Sequence, residues 1–78
     1  MKQWKVGSST ELGKAIARVR RQAALTQEQL AKRSCVSRTY LAKMESGLST
    51  EQVKRTFAIL RDLGYELSLI PINNQVDK

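Results

Sequence analysis

Histidine is absent from the 78 residues, cysteine and proline occur once each, and aromatic residues make up only 5%. Each shortage removes a class of function. Without histidine, and with carboxylates few and scattered, no cluster has metal-ligand spacing and no acid–base constellation suggests catalysis. No glycine-rich loop that could cradle phosphate appears. A single cysteine cannot close an internal disulfide. No apolar run approaches the roughly 18 residues of a membrane span. The opening MKQWKVGSS lacks the apolar stretch of a signal peptide. The expectation is one small cytoplasmic domain with a modest core, not an enzyme, needing no cofactor and no metal, with Cys35 as a small buried or half-buried side chain.

What is abundant is positive charge, +7 net, and it is uneven. Between positions 18 and 43 stand Arg18, Arg20, Arg21, Lys32, Arg33, Arg38 and Lys43 against the single acid Glu28. From Met44 onward acids balance bases. A positive field confined to one part of a domain is the footprint of phosphate binding.

That basic part carries the clearest local pattern, TQEQLAKRSCVSRTYLAKMESG from Thr26 to Gly47. Thr26 with Gln29 three residues on has capping-box spacing. Leu30 and the small Ala31 face inward, Ser34-Cys35-Val36 makes a tight turn with Val36 as a buried plug, and Ser37 caps a second helix. Leu41 and Met44 form that helix's buried stripe, and Gly47 stops it. Two short helices joined this way make a helix-turn-helix unit.

The rest of the chain is organised around this unit. Residues 1–8 read as a loose arm, with Lys2, Trp4 and Lys5 touching DNA or packing on a neighbour, or Trp4 covering apolar surface near the first helix. Ser8 and Glu11 repeat the capping-box spacing ahead of a helix running to about Ala24, with Leu12, Ile16, Val19 and Ala23 on one stripe. Ser49 with Gln52 opens a helix over about 50–63, whose inward stripe is Val53, Phe57, Leu60 and Leu63, and Gly64 is its stop. Ala58 and Ile59, off that stripe, offer a second apolar contact. In 65–72, YELSLIPI, apolar and polar residues alternate as in a strand, and Pro71 belongs at its end or edge. A lone strand leaves backbone groups unpaired. A second copy of the same strand across a two-fold axis would satisfy them; the alternative is an irregular tail packed on its own domain. Residues 73–78 read as a disordered tail.

The phrases Thr26-Gln27-Glu28-Gln29-Leu30-Ala31, Val36-Ser37-Arg38-Thr39-Tyr40-Leu41 and Met44-Glu45-Ser46-Gly47 resemble the phage-repressor or Xre family of DNA-binding domains over roughly residues 9–64. The family usually has glycine where Cys35 stands, because that turn residue tends to need positive φ. The resemblance implies an ion pair between Arg20 and Glu45, joining the first helix to the end of the second motif helix. It places Ser37, Arg38, Thr39 and Lys43 at the base-facing positions. Arg38 is suited to guanine, Thr39 to a base edge or a thymine methyl, and Lys43 to a base or a phosphate. Gln27 is implied to hold backbone phosphate and brace the recognition helix. Tyr40 lies against the sugar–phosphate backbone or packs inside.

The run from Thr56 to Leu69, TFAILRDLGYELSL, further resembles the end of Hip-type antitoxins, in which a repressor-like domain carries a C-terminal strand that pairs in the dimer and the protein also binds a kinase-type toxin. The expected fold is therefore all-α: a repressor-like bundle of four to five helices over 9–64, with a dimerisation strand over 65–72 in which Tyr65, Leu67, Leu69 and Ile70 form the homodimer contact. The expected partners are double-stranded DNA with an inverted-repeat operator, a second copy and a kinase-like toxin. A stand-alone Xre-type regulator and a protein-interaction module without DNA binding are the alternatives.

Overall fold

The computed structural model of the chain describes residues 3–48 and 50–72. Its elements, in order, are β1 (Trp4–Val6), α1 (Ser9–Gln22), α2 (Gln27–Ser34), α3 (Arg38–Glu45), α4 (Glu51–Leu63) and β2 (Leu67–Leu69). Each helix opens on a hydroxyl that accepts from a backbone N–H three residues on, which satisfies one of the donors left over at a helix start. Ser8 serves Glu11, Thr26 serves Gln29, Ser37 serves Tyr40, and Thr50 serves Val53. Only Thr26 completes the reciprocal box, its own N–H donating to Gln29 Oε1 at 2.9 Å. Glu11 reaches one residue further back, to the Gly7 N–H. The cap of α4 is Thr50; the expected cap Ser49 and the expected tail 73–78 lie outside the described residues.

All four helices end alike. A residue in the left-handed region donates to the carbonyl three back, and its successor donates to the carbonyl five back, the paired bonds of a Schellman ending. The left-handed residues are Ala24 (φ 59°), Cys35 (φ 60°), Gly47 (φ 95°) and Gly64 (φ 86°). Two of the four therefore carry a Cβ where a side chain is strained. Both are exposed, so no packing offsets that strain. Ala24→Gly and Cys35→Gly are each expected to stabilise the domain by about 1 kcal/mol. The check is the midpoint of thermal unfolding, which should rise by about 4–8 °C for each.

The core is small: Val6, Ala15 and Phe57 are buried together, with Trp4, Leu12, Val53 and Leu69 packed on them. Ala17, Ala31 and Leu41 complete the buried apolar set among the described residues. Three of these six are alanine, so the bundle gains its burial from close approach of backbones as much as from large side chains. Gly13 marks the tightest approach. A Cβ placed there would overlap the Met44 carbonyl oxygen and lie 3.1 Å from that of Glu45.

Several expectations are corrected. The N-terminal segment is not a loose arm: Trp4–Val6 is a strand, and Val6 is fully buried. It pairs antiparallel with β2 in the register Trp4↔Leu69, Lys5↔Ser68, Val6↔Leu67. The C-terminal strand thus has a partner within its own chain, and a second copy is not needed to satisfy one of its edges. The ladder is also shorter than 65–72. Leu69 packs on its own domain's core. On α1 the buried residues are Gly13, Ala15 and Ala17, whereas Val19 is exposed, because α3 crosses on the small side chains. Val36 is no buried plug; its backbone N–H closes the α2 ending while its side chain faces solvent. Leu63 and Ile59 are largely exposed on α4, and Cys35 is exposed rather than covered.

Candidate nucleic-acid interface

The helix that would read a base sequence is α3, and its orientation follows from Leu41 and Met44. Leu41 is buried and Met44 half-buried, so the opposite side of this two-turn helix faces solvent. Ser37, Arg38, Thr39, Tyr40 and Lys43 are all exposed. Thr39 and Lys43 stand four apart and share a face. Tyr40 is 44% exposed, so of its two expected places the interior is not the one it takes. The Ser37 oxygen accepts from the Tyr40 N–H at 3.0 Å. Its hydroxyl proton is still free to donate outward, a use compatible with capping.

What fixes α3 against the other helices is a polar node. Arg20 of α1 donates from Nε to Glu45 Oε2 at 2.7 Å and from Nη2 to Glu45 Oε1 at 3.0 Å. Its Nη1 donates to the Leu25 carbonyl at 2.8 Å, which clamps the α1–α2 turn. Gln27, the first residue of α2, donates from Nε2 to Glu45 Oε1 at 2.9 Å. The side chains of Arg20 and Glu45 retain only 10% and 6% of their exposure, so this is a largely desolvated, two-pronged pair. The Arg20 hydrogen bonds hold the Glu45 carboxyl below its usual range against the opposing effect of burial, and Gln27 and the nearby charge of Arg21 add to the lowering. The same bond raises Arg20.

Arg20 and Glu45 are therefore together, with Gln27 joined to them. One Gln27 amide N–H is spent on Glu45, and the amide has a second N–H beside the backbone donors of the α2 N-terminus. The part of the Leu25 carbonyl was not visible in the sequence, since any backbone oxygen near the turn could have served. Gly13 was missed as well. Its signal was a glycine in mid-helix, costly unless a neighbour needs the space.

Helices α2 and α3, joined by a tight turn and held at their ends by this node, make a helix-turn-helix DNA-binding module. A family model described as helix-turn-helix matches residues 16–70, most of the chain, and the protein belongs to this Xre-type family of DNA-binding transcription regulators. No curated protein and no solved structure gives a significant match. The family's domains bind DNA and are not enzymes. None of the described helices is long and apolar enough to cross a membrane.

Proposed function

We propose that the protein is a sequence-specific repressor that binds an inverted-repeat operator as a homodimer, with Arg38, Thr39 and Lys43 of α3 in the major groove. The observation that carries this reading is a capped, solvent-facing recognition helix with cationic side chains, set in a basic surround. Arg38 is the base reader, Thr39 reads a base edge or thymine methyl, Ser37 stands with them at the base-facing start of α3, and Tyr40 and Gln27 lie along the phosphates. Two copies would set their recognition helices about 34 Å apart, one turn of DNA, or a multiple of it.

Support for the second copy comes from the surface around β2. Among the described residues β2 pairs with β1 alone, which leaves its other edge open. Tyr65, Leu67 and Ile70, in or beside β2, expose apolar surface, as do Ile59 and Leu63 of the preceding helix. Truncation after Gly64 would test this poorly, since it would also strip β1 of its partner and the core of Leu69. Tyr65→Asp with Ile70→Asp leaves the core in place; sedimentation of that variant as a monomer is the expected result.

The operator reading is tested by mobility shift on the protein's own promoter DNA. Arg38→Ala is expected to cost about 1–3 kcal/mol and to relax one base position. An equal loss on every sequence would make Arg38 a phosphate contact and remove it from the reading. Wild-type binding should weaken steeply with salt as phosphate counterions are released.

Among repressors of this family we favour an antitoxin of the Hip type, on the resemblance of the run from Thr56 to Leu69. Co-purification of a kinase-like toxin at native expression tests it, and its absence would leave a stand-alone Xre-type regulator.

A further inference from the structure

A second concentration of charge lies on α1 and β1. Between α1 and β1 is a pocket of about 450 Å³ lined by Lys5, Lys14, Arg18 and Arg21, with Trp4 and the carboxylates of Glu11 and Glu45 also in its lining. Lys14, Arg18 and Arg21 fall one helical turn apart and so share a side of α1. Both carboxylates are already engaged: Glu11 accepts from the Gly7 N–H, and Glu45 from Arg20 and Gln27. Among the described residues none of the four cations has an ion-pair partner. Arg18 lies over the Trp4 ring instead, 4.8 Å from its centroid. Trp4 is anchored in turn by its pairing with Leu69. Stacking on a fixed ring holds a guanidinium in place while leaving its N–H edge free, which is how arginine is prepared for a phosphate.

We infer that this pocket binds a phosphate group, with Lys14 and Arg18 as its main ligands and Lys5 and Arg21 completing the positive surround. A concave site of this size suits a compact anion better than the broad acidic face of a folded protein. The phosphate could belong to DNA backbone or to a free phosphorylated compound, and the two are separable by experiment. Trp4, Lys5 and Lys14 precede the segment matched by the family model, and α3 variants play no part in the test, so the inference can fail while the operator reading survives.

The test titrates the full chain with inorganic pyrophosphate at fixed ionic strength, followed by amide chemical shifts and by the fluorescence of Trp4, the sole tryptophan. Saturable shifts in Trp4–Lys5 and in Lys14–Arg21 are expected. The double variant Lys14→Gln with Arg18→Gln should bind pyrophosphate about tenfold more weakly or worse, given charge-assisted contacts. The control Lys54→Gln with Arg61→Gln, which lowers net charge equally on α4, should bind as the unaltered protein does. Both pairs alter exposed side chains, and equal thermal melts confirm the fold. A second arm uses duplex DNA. If the pocket variant lowers the salt slope of DNA binding by about 2, one per lost phosphate contact, the phosphate is that of DNA. If DNA binding is untouched while pyrophosphate binding is lost, the ligand is a free phosphorylated compound. Pyrophosphate binding that does not saturate, or that falls equally in the pocket and control variants, overturns the inference.

Discussion

Glu45→Ala is expected to remove about 3–5 kcal/mol, because it leaves the guanidinium of Arg20 largely buried without its counter-charge. A small domain has a total stability of about 5–15 kcal/mol, so the loss would be a large share of the margin. The loss is compounded at Gln27, whose Nε2 donates to the same carboxylate. The measurement is the urea midpoint at neutral pH. Replacing both partners by apolar residues, Arg20→Met with Glu45→Leu, should be much milder than either truncation alone, since no charge is stranded. An unchanged midpoint in Glu45→Ala would mean that the pair adds nothing to stability. The same group sets a pH dependence. The native Glu45 carboxyl titrates below the usual range, so the unfolded chain takes up this proton first as pH falls. Its contribution is therefore complete above the ordinary carboxylate range and declines as pH drops through that range toward the lowered native value. In Glu45→Gln this share of the acid limb should flatten.

Gly13→Ala is the second large effect, and its sign is the informative part. In a helix interior this exchange ordinarily stabilises by about 1 kcal/mol. Here the new methyl would meet the carbonyl oxygens of Met44 and Glu45, both backbone atoms that cannot rotate aside. Helices α1 and α3 would have to separate at the crossing beside the polar node. The expected net result is destabilisation by about 1–3 kcal/mol, and more for Gly13→Val. Lys14→Ala, one residue on but exposed, is the matched control and should leave the midpoint nearly unchanged. Because the same crossing seats the recognition helix, Gly13→Ala should also weaken operator binding at temperatures where the protein is still folded.

The helix-turn-helix frame was legible because its signals are local. A hydroxyl three residues ahead of its N–H partner, a stop residue and a short apolar stripe lie within a few positions of each other. Thr26, Ser37, Leu41 and Gly47 could be placed on those grounds. Arg20 and Glu45 were paired through a likeness between sequences, since 25 positions separate them. Strand β1 was hidden for the opposite reason. Trp4-Lys5-Val6 alternates as Leu67-Ser68-Leu69 does, but three residues are a weak pattern, and its partner lies at the far end of the chain. The buried side of α1 was misjudged because a search for a stripe favours large side chains. The contact there is made by Gly13 and Ala17, whose value lies in how little room they take. Cys35 and Val36 sit in a turn whose backbone does the work of closure, so hydrophobicity was a poor guide to their exposure. The residues proposed to face bases could be read as positions on an exposed helix side, whereas the bases they would meet are a property of the DNA as well.

The ladder between β1 and β2 has a mechanical consequence. In an antiparallel pair, Trp4 and Leu69 sit at the same end, so the flanking segments leave the domain side by side. Tension between them would unzip the sheet one residue pair at a time, beginning at Trp4, instead of shearing every pair together. Anything that grips the segment after Leu69 therefore has leverage on the seal over Val6, the most deeply buried of the described side chains.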